Sequence, residues 1–563
     1  MTALDDFFTH YYSRRPVNAT FTGVHAYDGE LPDWSLDGLD ALDDEMRSVG
    51  SALGKEYPAP TSAAAFRNNP DLLDAELARA YLEVQRAENA SMHGPRGNPA
   101  LWTGEAIFSI IALMIREFAP MRERIEIAEA RLAKLSSPLS PPAGDPQTRV
   151  ARAWKEKALR DRDGAEILLT TGVISWFSWA ELTSSERDRV YKTAARAKAR
   201  VRSFTAHVDG AQPDAPESTM SCGPELFDLL LNRGHFCTRS RVDLLTEAKD
   251  RFETARGDLD ALARSVAGSW PDAQAQIAAD RPTSDEYHSA FEKTWQACYQ
   301  HVERANVVAW PDNWPIQYVS YPPWTADAAP HLYYLHYRSP APFDAVDVHE
   351  YVVPGMPADP AEADQLLRVW NNSTIKLNHV VHHGAIGHHV QNWYAYNQQR
   401  SRIGKVAGVD CANRIGMFLG GTMTEGWACY ATDLMEELGF LTPLERVSQQ
   451  HTRVRMLARA IVDIELHQGT MSFADAVRFY ETHVGMSPAA AKAEAVKNSM
   501  FPCTAIMYWL GTQGIHDLRA EMKRREGPRF SLRRFHGELL GYGSIPVPLV
   551  ARIMTGGSAP LSG

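Results

Sequence analysis

No run of 18 apolar residues occurs in this sequence; the most apolar stretch, Ala106 to Met114, is far too short to span a bilayer. The first ten residues, Met-Thr-Ala-Leu-Asp-Asp-Phe-Phe-Thr-His, contain neither a basic n-region nor an apolar h-region, so no secretory signal is read there. Basic residues are in deficit: 58 Lys and Arg stand against 69 Asp and Glu, a net charge of −11. That argues against the basic surface that sequence-independent nucleic-acid binding needs. Cysteines are few and scattered (Cys222, Cys237, Cys298, Cys411, Cys429, Cys503), with no C-x-x-C pair. Their spacing argues for reduced thiols rather than a disulfide framework. Neither a G-x-G-x-x-G turn nor a Walker loop is present. The expectation is a cytoplasmic protein with no membrane or nucleic-acid partner, acting on a small molecule or a short peptide.

What is present is helical periodicity. Apolar residues recur at three-and-four spacing over Leu72–Glu88, Pro120–Leu135, Ser185–Val208, Thr246–Val266, Asp285–Arg304, Glu362–Val380, Met423–Leu438, Val447–Leu466 and Phe473–Val484. The spacing predicts a mainly α fold. The segment Val308–Pro354 differs, with short alternating stretches such as Leu332–Tyr337 and Asp347–Val353 that predict two to four strands. Its aromatics (Trp310, Trp314, Tyr318, Tyr321, Trp324, Tyr333, Tyr334, Tyr337) suit a cleft wall or a sheet core equally. At 563 residues the chain exceeds what one core usually spans. Ser136–Pro146 reads as a helix-to-helix loop. Gly210–Gly223 reads as a linker between a helical subdomain at 1–209 and a second at 223–563 carrying the chemistry.

Five of the twenty histidines fall in one short run: His379, His382, His383, His388 and His389. Imidazole is the commonest protein ligand for zinc and for several other transition metals. Asn372 or Ser373 is a candidate cap for a helix reaching about Gln391. On such a helix His379 and His383 share a face. His382 and His388 stand about 600° apart, on different faces. Gly384 and Gly387 lie between them, where a kink can bring both to one ion.

Three further pieces carry chemistry. Glu425 in Thr422-Met-Thr-Glu-Gly-Trp-Ala-Cys-Tyr430 is placed to head a helix and supply a carboxylate ligand; a helix-terminal carboxylate stabilised by the macrodipole is the plainer alternative. Asp463 and His467 are four apart among apolar neighbours, either orienting a site or forming a structural pair. Tyr508 follows Pro502 and is a candidate donor to an oxyanion or a core residue.

In this order the pieces resemble the family called domain of unknown function 885. Its motifs look like H-E-x-x-P-G-H-H-x-Q, E-G-W-A-x-Y, R-A-x-R-x-x-x-D-x-G-x-H and P-G-Q-A-x-S-Y-x-x-G. The corresponding residues here are His382-His-Gly-Ala-Ile-Gly-His-His-Val-Gln391, Glu425-Gly-Trp-Ala-Cys-Tyr430, Arg459-Ala with Asp463 to His467, and Pro502-Cys-Thr-Ala with Tyr508 and Gly511. Pro16 to His25 and Phe535 to Pro546 fit the family's flanks. The resemblance implies a mostly helical, metallopeptidase-like fold. It implies a divalent metal, zinc first and iron or another transition metal next, held by His382, His388 and Glu425. His389, His467, Tyr508 and Lys497 would line the site, His389 and Lys497 on the substrate side. The family's Glu after the first histidine is His383 here, so the general base is altered. Thr432 stands where a Glu often follows E-G-W-A-x-Y, Lys497 where the family tends to have Arg, and Cys503 where the last motif has Gly. Three readings remain open. The first is a metal-dependent hydrolase of a small amide or peptide bond, with His383 as base and His467 and Tyr508 assisting. The second is a non-hydrolytic metal enzyme (a lyase, isomerase or oxygenase), and the third a non-catalytic ligand-binding descendant.

Overall fold

Short polar caps followed by proline set where many helices begin. Asn98 before Pro99, Thr442 before Pro443 and Ser487 before Pro488 each accept a backbone N–H of the first turn, and the prolines have no amide to lose there. A computed structural model describes the chain except residues 1, 61, 136–147, 179, 211, 333–336, 346–347, 399 and 558–563. The helices that matter for the site are α1 (Pro70–Ala90), α2 (Pro99–Met114), α3 (Arg152–Ile167), α4 (Ser184–Gly210), α5 (Arg241–Ala267) and α6 (Tyr287–Ala305). After strands β1 (Ile316–Ser320) and β2 (His349–Val353) come α7 (Ile375–Gly384), α8 (His388–Asn397), α9 (Gly421–Glu437), α10 (Pro443–His467), α11 (Pro488–Met500) and α12 (Met507–Glu526).

The fold is mainly α, with one small sheet among the described residues, as the periodicity predicts. β1 and β2 pair in parallel, in register from Ile316 opposite His349 to Ser320 opposite Val353. The strand expected at Leu332–Tyr337 falls mostly outside the described residues; Tyr337 forms an isolated bridge to Tyr351. The loop expected at Ser136–Pro146 also lies outside them.

Two apolar clusters hold the helices. The larger takes in Leu4, Phe108, Trp154, Val201, Val380, Trp427 and Val550, from both sides of the Gly210–Gly223 segment. The smaller lies between α5 and α10, where Leu244, Phe252 and Leu259 meet Val454, Ile461 and Ile464. No helix among the described residues is long and apolar enough to cross a membrane. All six cysteines are unpaired.

Candidate metal centre

The histidine run does not form one α-helix. Asn371 caps it, its side chain accepting from Thr374 N at 3.0 Å, because Asn372 is drawn to Asp280 at 2.7 Å. From Ile375 the chain winds as a π-helix, a geometry often found at functional sites. The expected continuation to Gln391 is interrupted at Ala385–Gly387, and α8 starts afresh at His388. Gly387 N donates to Val381 O at 2.9 Å. A Cβ on Gly387 would lie 1.9 Å from the His382 carbonyl oxygen, so the fold-back requires glycine. Trp427 of α9 clamps the break, its indole N–H donating to Ile386 O at 2.9 Å and Gly387 O at 3.2 Å.

This break puts His388 on the side of His382. The His382 and His388 rings are 4.8 Å apart, with His383 4.6 Å from the first and 5.2 Å from the second. One ligand atom from each of His382, His383 and His388 lies within 4.8 Å of the other two. His383 Nδ1 sits 2.7 Å from Asn378 O. A carbonyl only accepts, so Nδ1 carries a proton and Nε2 is the nitrogen turned to ligand duty.

Glu425 completes the group. Its Oε2 lies 3.5 Å from His382 Nε2 and 3.7 Å from His388 Nε2, and Tyr508 donates to its Oε1 at 3.1 Å. α9 begins at Gly421, so Glu425 falls in the second turn rather than at the helix head, and Thr422 and Thr424 do not cap it. Thr422 instead accepts from Val547 N, and Thr424 donates back to Gly420 O. Glu425 and Tyr508 meet because α9 and α12 cross backbone to backbone. A Cβ on Gly426 would lie 2.5 Å from Gly511 Cα, and one on Gly511 would lie 2.0 Å from Thr422 O.

Burial pushes the Glu425 carboxyl upward, but the hydrogen bond from His382 and the charges of His388 and Lys497 outweigh it and hold the group well below the usual carboxylate range. Burial lowers His382, partly offset by Glu425, and with His382 nearby it lowers His388 to about 4. An ionised carboxylate facing neutral imidazoles is the protonation state a metal site needs. Among the described residues His388 makes no hydrogen bond through either ring nitrogen, and its buried Nδ1 meets no partner there. Such an orphaned group calls for an explanation, and an ion is one. Three nitrogens and one oxygen suit zinc, and equally iron, nickel or copper.

The cluster opens on a cavity of about 460 Å³ lined by His382, His383, His388, Glu425, Lys497 and Tyr508. His379 also lines it, but its Nδ1 is 2.6 Å from Tyr351 OH and its ring stacks on Trp370 at 3.9 Å, so it does not pair with His383 as a clamp. The structure does not bring His389 or His467 to the cavity. His389 follows His388 on a helix, about 100° round. Its Nε2 lies 2.9 Å from Trp314 O, and it is fully buried in the aromatic wall. His467, the last residue of α10, is wholly enclosed. Its Nε2 donates to Asn498 O at 2.9 Å and its Nδ1 accepts from Cys222 N at 3.4 Å. Asp463 accepts from Cys503 N at 3.0 Å and Ile506 N at 2.9 Å, fixing the turn that leads into Tyr508. Cys503, at the family's glycine position, has φ +59. The Asp463–His467 motif therefore supports the site from behind. Sequence reasoning missed Arg455 and Asp410 in the cavity wall, since neither belongs to a run or a spacing that marks chemistry.

His467 carries a pH prediction. Burial lowers it to about 3, with neighbouring His93, itself lowered to about 4, adding to the effect. A depressed folded pKa gives stability that is complete above the unfolded value of about 6.5 and is lost as pH falls toward the folded one. Burial raises Asp463 to about 7, which acts in the opposite sense and is lost as pH rises. His467→Gln removes only the first contribution. Urea unfolding at pH 7 and pH 4 should show a smaller acid-induced loss in the variant, by about 3 kcal/mol; identical losses would refute the assignment.

Solved structures share the fold, among them two that are similar to this chain. One is described as "a putative lipoprotein of unknown function from Shewanella oneidensis", 17% identical with a TM-score of 0.76, the match covering 98% of this chain and 99% of that one. The other, "the putative lipoprotein from Colwellia psychrerythraea", is 15% identical with a TM-score of 0.76 and 99% of each chain covered. No curated protein matches. The family described as "Bacterial protein of unknown function (DUF885)" matches residues 16–554, and the chain belongs to that family, as its motifs led us to expect.

Proposed function

We propose that this protein is a metal-dependent hydrolase of a small amide or peptide bond. The observation that carries the reading is the clustering of His382, His383 and His388 in the wall of a 460 Å³ cavity, with the ionised Glu425 carboxylate 3.5 Å from His382 and 3.7 Å from His388. A divalent ion held there, zinc in the first place, supplies Lewis acidity toward a carbonyl oxygen and toward water. His382, His388 and Glu425 are its holders. His383, through its Nε2, accepts a proton from the attacking water. Tyr508, whose hydroxyl donates to Glu425 Oε1 at 3.1 Å, turns that single proton from the carboxylate to the oxygen on which charge develops.

The same geometry favours a second reading. His383 lies as close to His382 and His388 as a third imidazole ligand would, and a three-histidine, one-carboxylate set suits iron or another transition metal in a lyase, isomerase or oxygenase. Elemental analysis of His383→Gln beside His382→Ala separates the two. On the hydrolase reading, His382→Ala loses the metal, whereas His383→Gln keeps about one equivalent and loses amide hydrolysis by roughly 100-fold or more. Loss of metal in His383→Gln, with iron in the wild type, would move the function to the second reading. No metal in the wild type would remove both and leave the non-catalytic binder.

The scattered cysteines of the sequence motivate a cytoplasmic compartment, whereas the two neighbours are described as putative lipoproteins, which makes a lipoprotein the alternative. Fractionation of the native host decides between them.

A further inference from the structure

One cation in the cavity wall has no counterion in contact. Arg455, on α10, lines the same cavity as the histidines, and among the described residues it makes no ion pair and no hydrogen bond. Its charged neighbours are already committed. Glu494, whose field reaches it, gives one carboxylate oxygen to Arg459 Nε at 2.7 Å and the other to Arg459 Nη2 at 2.8 Å. Arg459 in turn covers the Tyr508 ring, 4.9 Å from its centroid. Arg414, also in the cavity wall, is held bidentately by Glu88, at 2.6 and 2.5 Å. Asp410 accepts from Ser339 N at 3.0 Å and Ser339 Oγ at 2.8 Å. Glu425 belongs to the histidine group. Lys497, which also lines the cavity, adds a second positive charge to the Arg455 side.

A part-buried guanidinium beside a second guanidinium, with no carboxylate in contact, is costly to the fold. Ligand binding can offset that cost. The guanidinium fork matches a carboxylate in two parallel hydrogen bonds. The cavity's volume is that of a pocket for a small ligand. We propose that Arg455 seats a free carboxylate of the substrate, so that the substrates are acids: N-acylated amino acids, or short peptides with an unblocked C-terminus. Which bond is cut rests on the hydrolase reading above; the carboxylate seat itself needs no metal.

The test uses N-acetylalanine and its neutral amide as probes, with inorganic phosphate as a third. Each is titrated calorimetrically into metal-loaded and chelator-treated full-length protein. The acid is expected to bind saturably in both forms, and the amide roughly tenfold more weakly or less tightly still. Arg455→Met is expected to lose that discrimination and Arg455→Lys to keep part of it. Because Arg455→Met removes an uncompensated charge, it should melt at or above the wild-type temperature. If it does not fold, the acid and amide comparison in the wild type and in Arg455→Lys decides. Equal binding of acid and amide, discrimination that survives Arg455→Met, or no saturable binding of the acid would each overturn the proposal. Phosphate binding more tightly than the acid would overturn the carboxylate assignment. A protein that holds no metal yet prefers the acid would refute the hydrolase reading and leave the carboxylate seat standing.

Discussion

Chelation should lower the unfolding free energy of the purified protein by about 4 kcal/mol, the stabilisation an ion supplies at roughly a thousand times its dissociation constant. The same treatment should cost His388→Ala and Glu425→Gln about 1.4 kcal/mol or less, the remainder after a 100-fold or greater loss of affinity. The effect should be this large because the donors are only loosely tied to one another. Glu425 Oε2 stands 3.5 and 3.7 Å from two imidazole nitrogens, longer than a strong hydrogen bond, and His388 Nδ1 is buried with no partner among the described residues. A group assembled so loosely, with a charged carboxylate enclosed, is costly when empty. Glu425→Gln keeps the shape and removes the charge, so it should be at least as stable as the metal-free wild type while binding metal 100-fold or more weakly, beyond the 10–100-fold typical of losing only an outer partner. Differential scanning calorimetry with and without chelator reads the first expectation, and competition with a metal-sensitive dye reads the second. A wild type whose melting is indifferent to chelation would show that the four side chains do not form a resident metal site.

Gly511→Val should destabilise the protein by about 4 kcal/mol and loosen the site with it. The added Cβ would lie 2.0 Å from Thr422 O and 2.8 Å from Gly426 Cα. Both are backbone atoms inside a helix, so no side-chain rotation relieves the clash and α9 must move away from α12. That movement separates Tyr508 from Glu425, now 3.1 Å apart, and draws Trp427 from the carbonyls of Ile386 and Gly387. The loss of stability should therefore be accompanied by weaker metal binding. A serine at the same position tests the dependence on size. If Gly511→Val is as stable as the wild type, the close crossing does not hold the site.

The motif pieces acquire distinct duties in this arrangement. In Glu425-Gly-Trp-Ala-Cys-Tyr430, Glu425 joins the histidines, Gly426 permits the crossing and Trp427 clamps the break. Tyr430 pairs with His536 at 2.8 Å. Gln391, at the end of the histidine motif, donates to Ser544 Oγ at 2.7 Å near the C-terminus. Much of each motif thus serves the geometry of a few functional atoms. This explains why His389 and His467, inside the motifs, do not reach the cavity, while Arg455, outside the notable spacings, does.

By itself the sequence determined the helices, because apolar periodicity and proline-led caps are local properties. It also determined the family, and the presence of histidines and a carboxylate suited to one ion. Only the tertiary structure decided which of the five histidines converge. On a regular helix His382 and His388 face apart; the π-turns, the glycine fold-back at Gly387 and the Trp427 clamp from a helix some forty residues on bring them together. It alone decided that His467 is enclosed and that Arg455 faces the cavity, since the direction of a side chain on α10 depends on the helices packed against it. Periodicity says that a helix has a buried face; the neighbours that bury it are set by contacts hundreds of residues apart, and these decide where chemistry can occur.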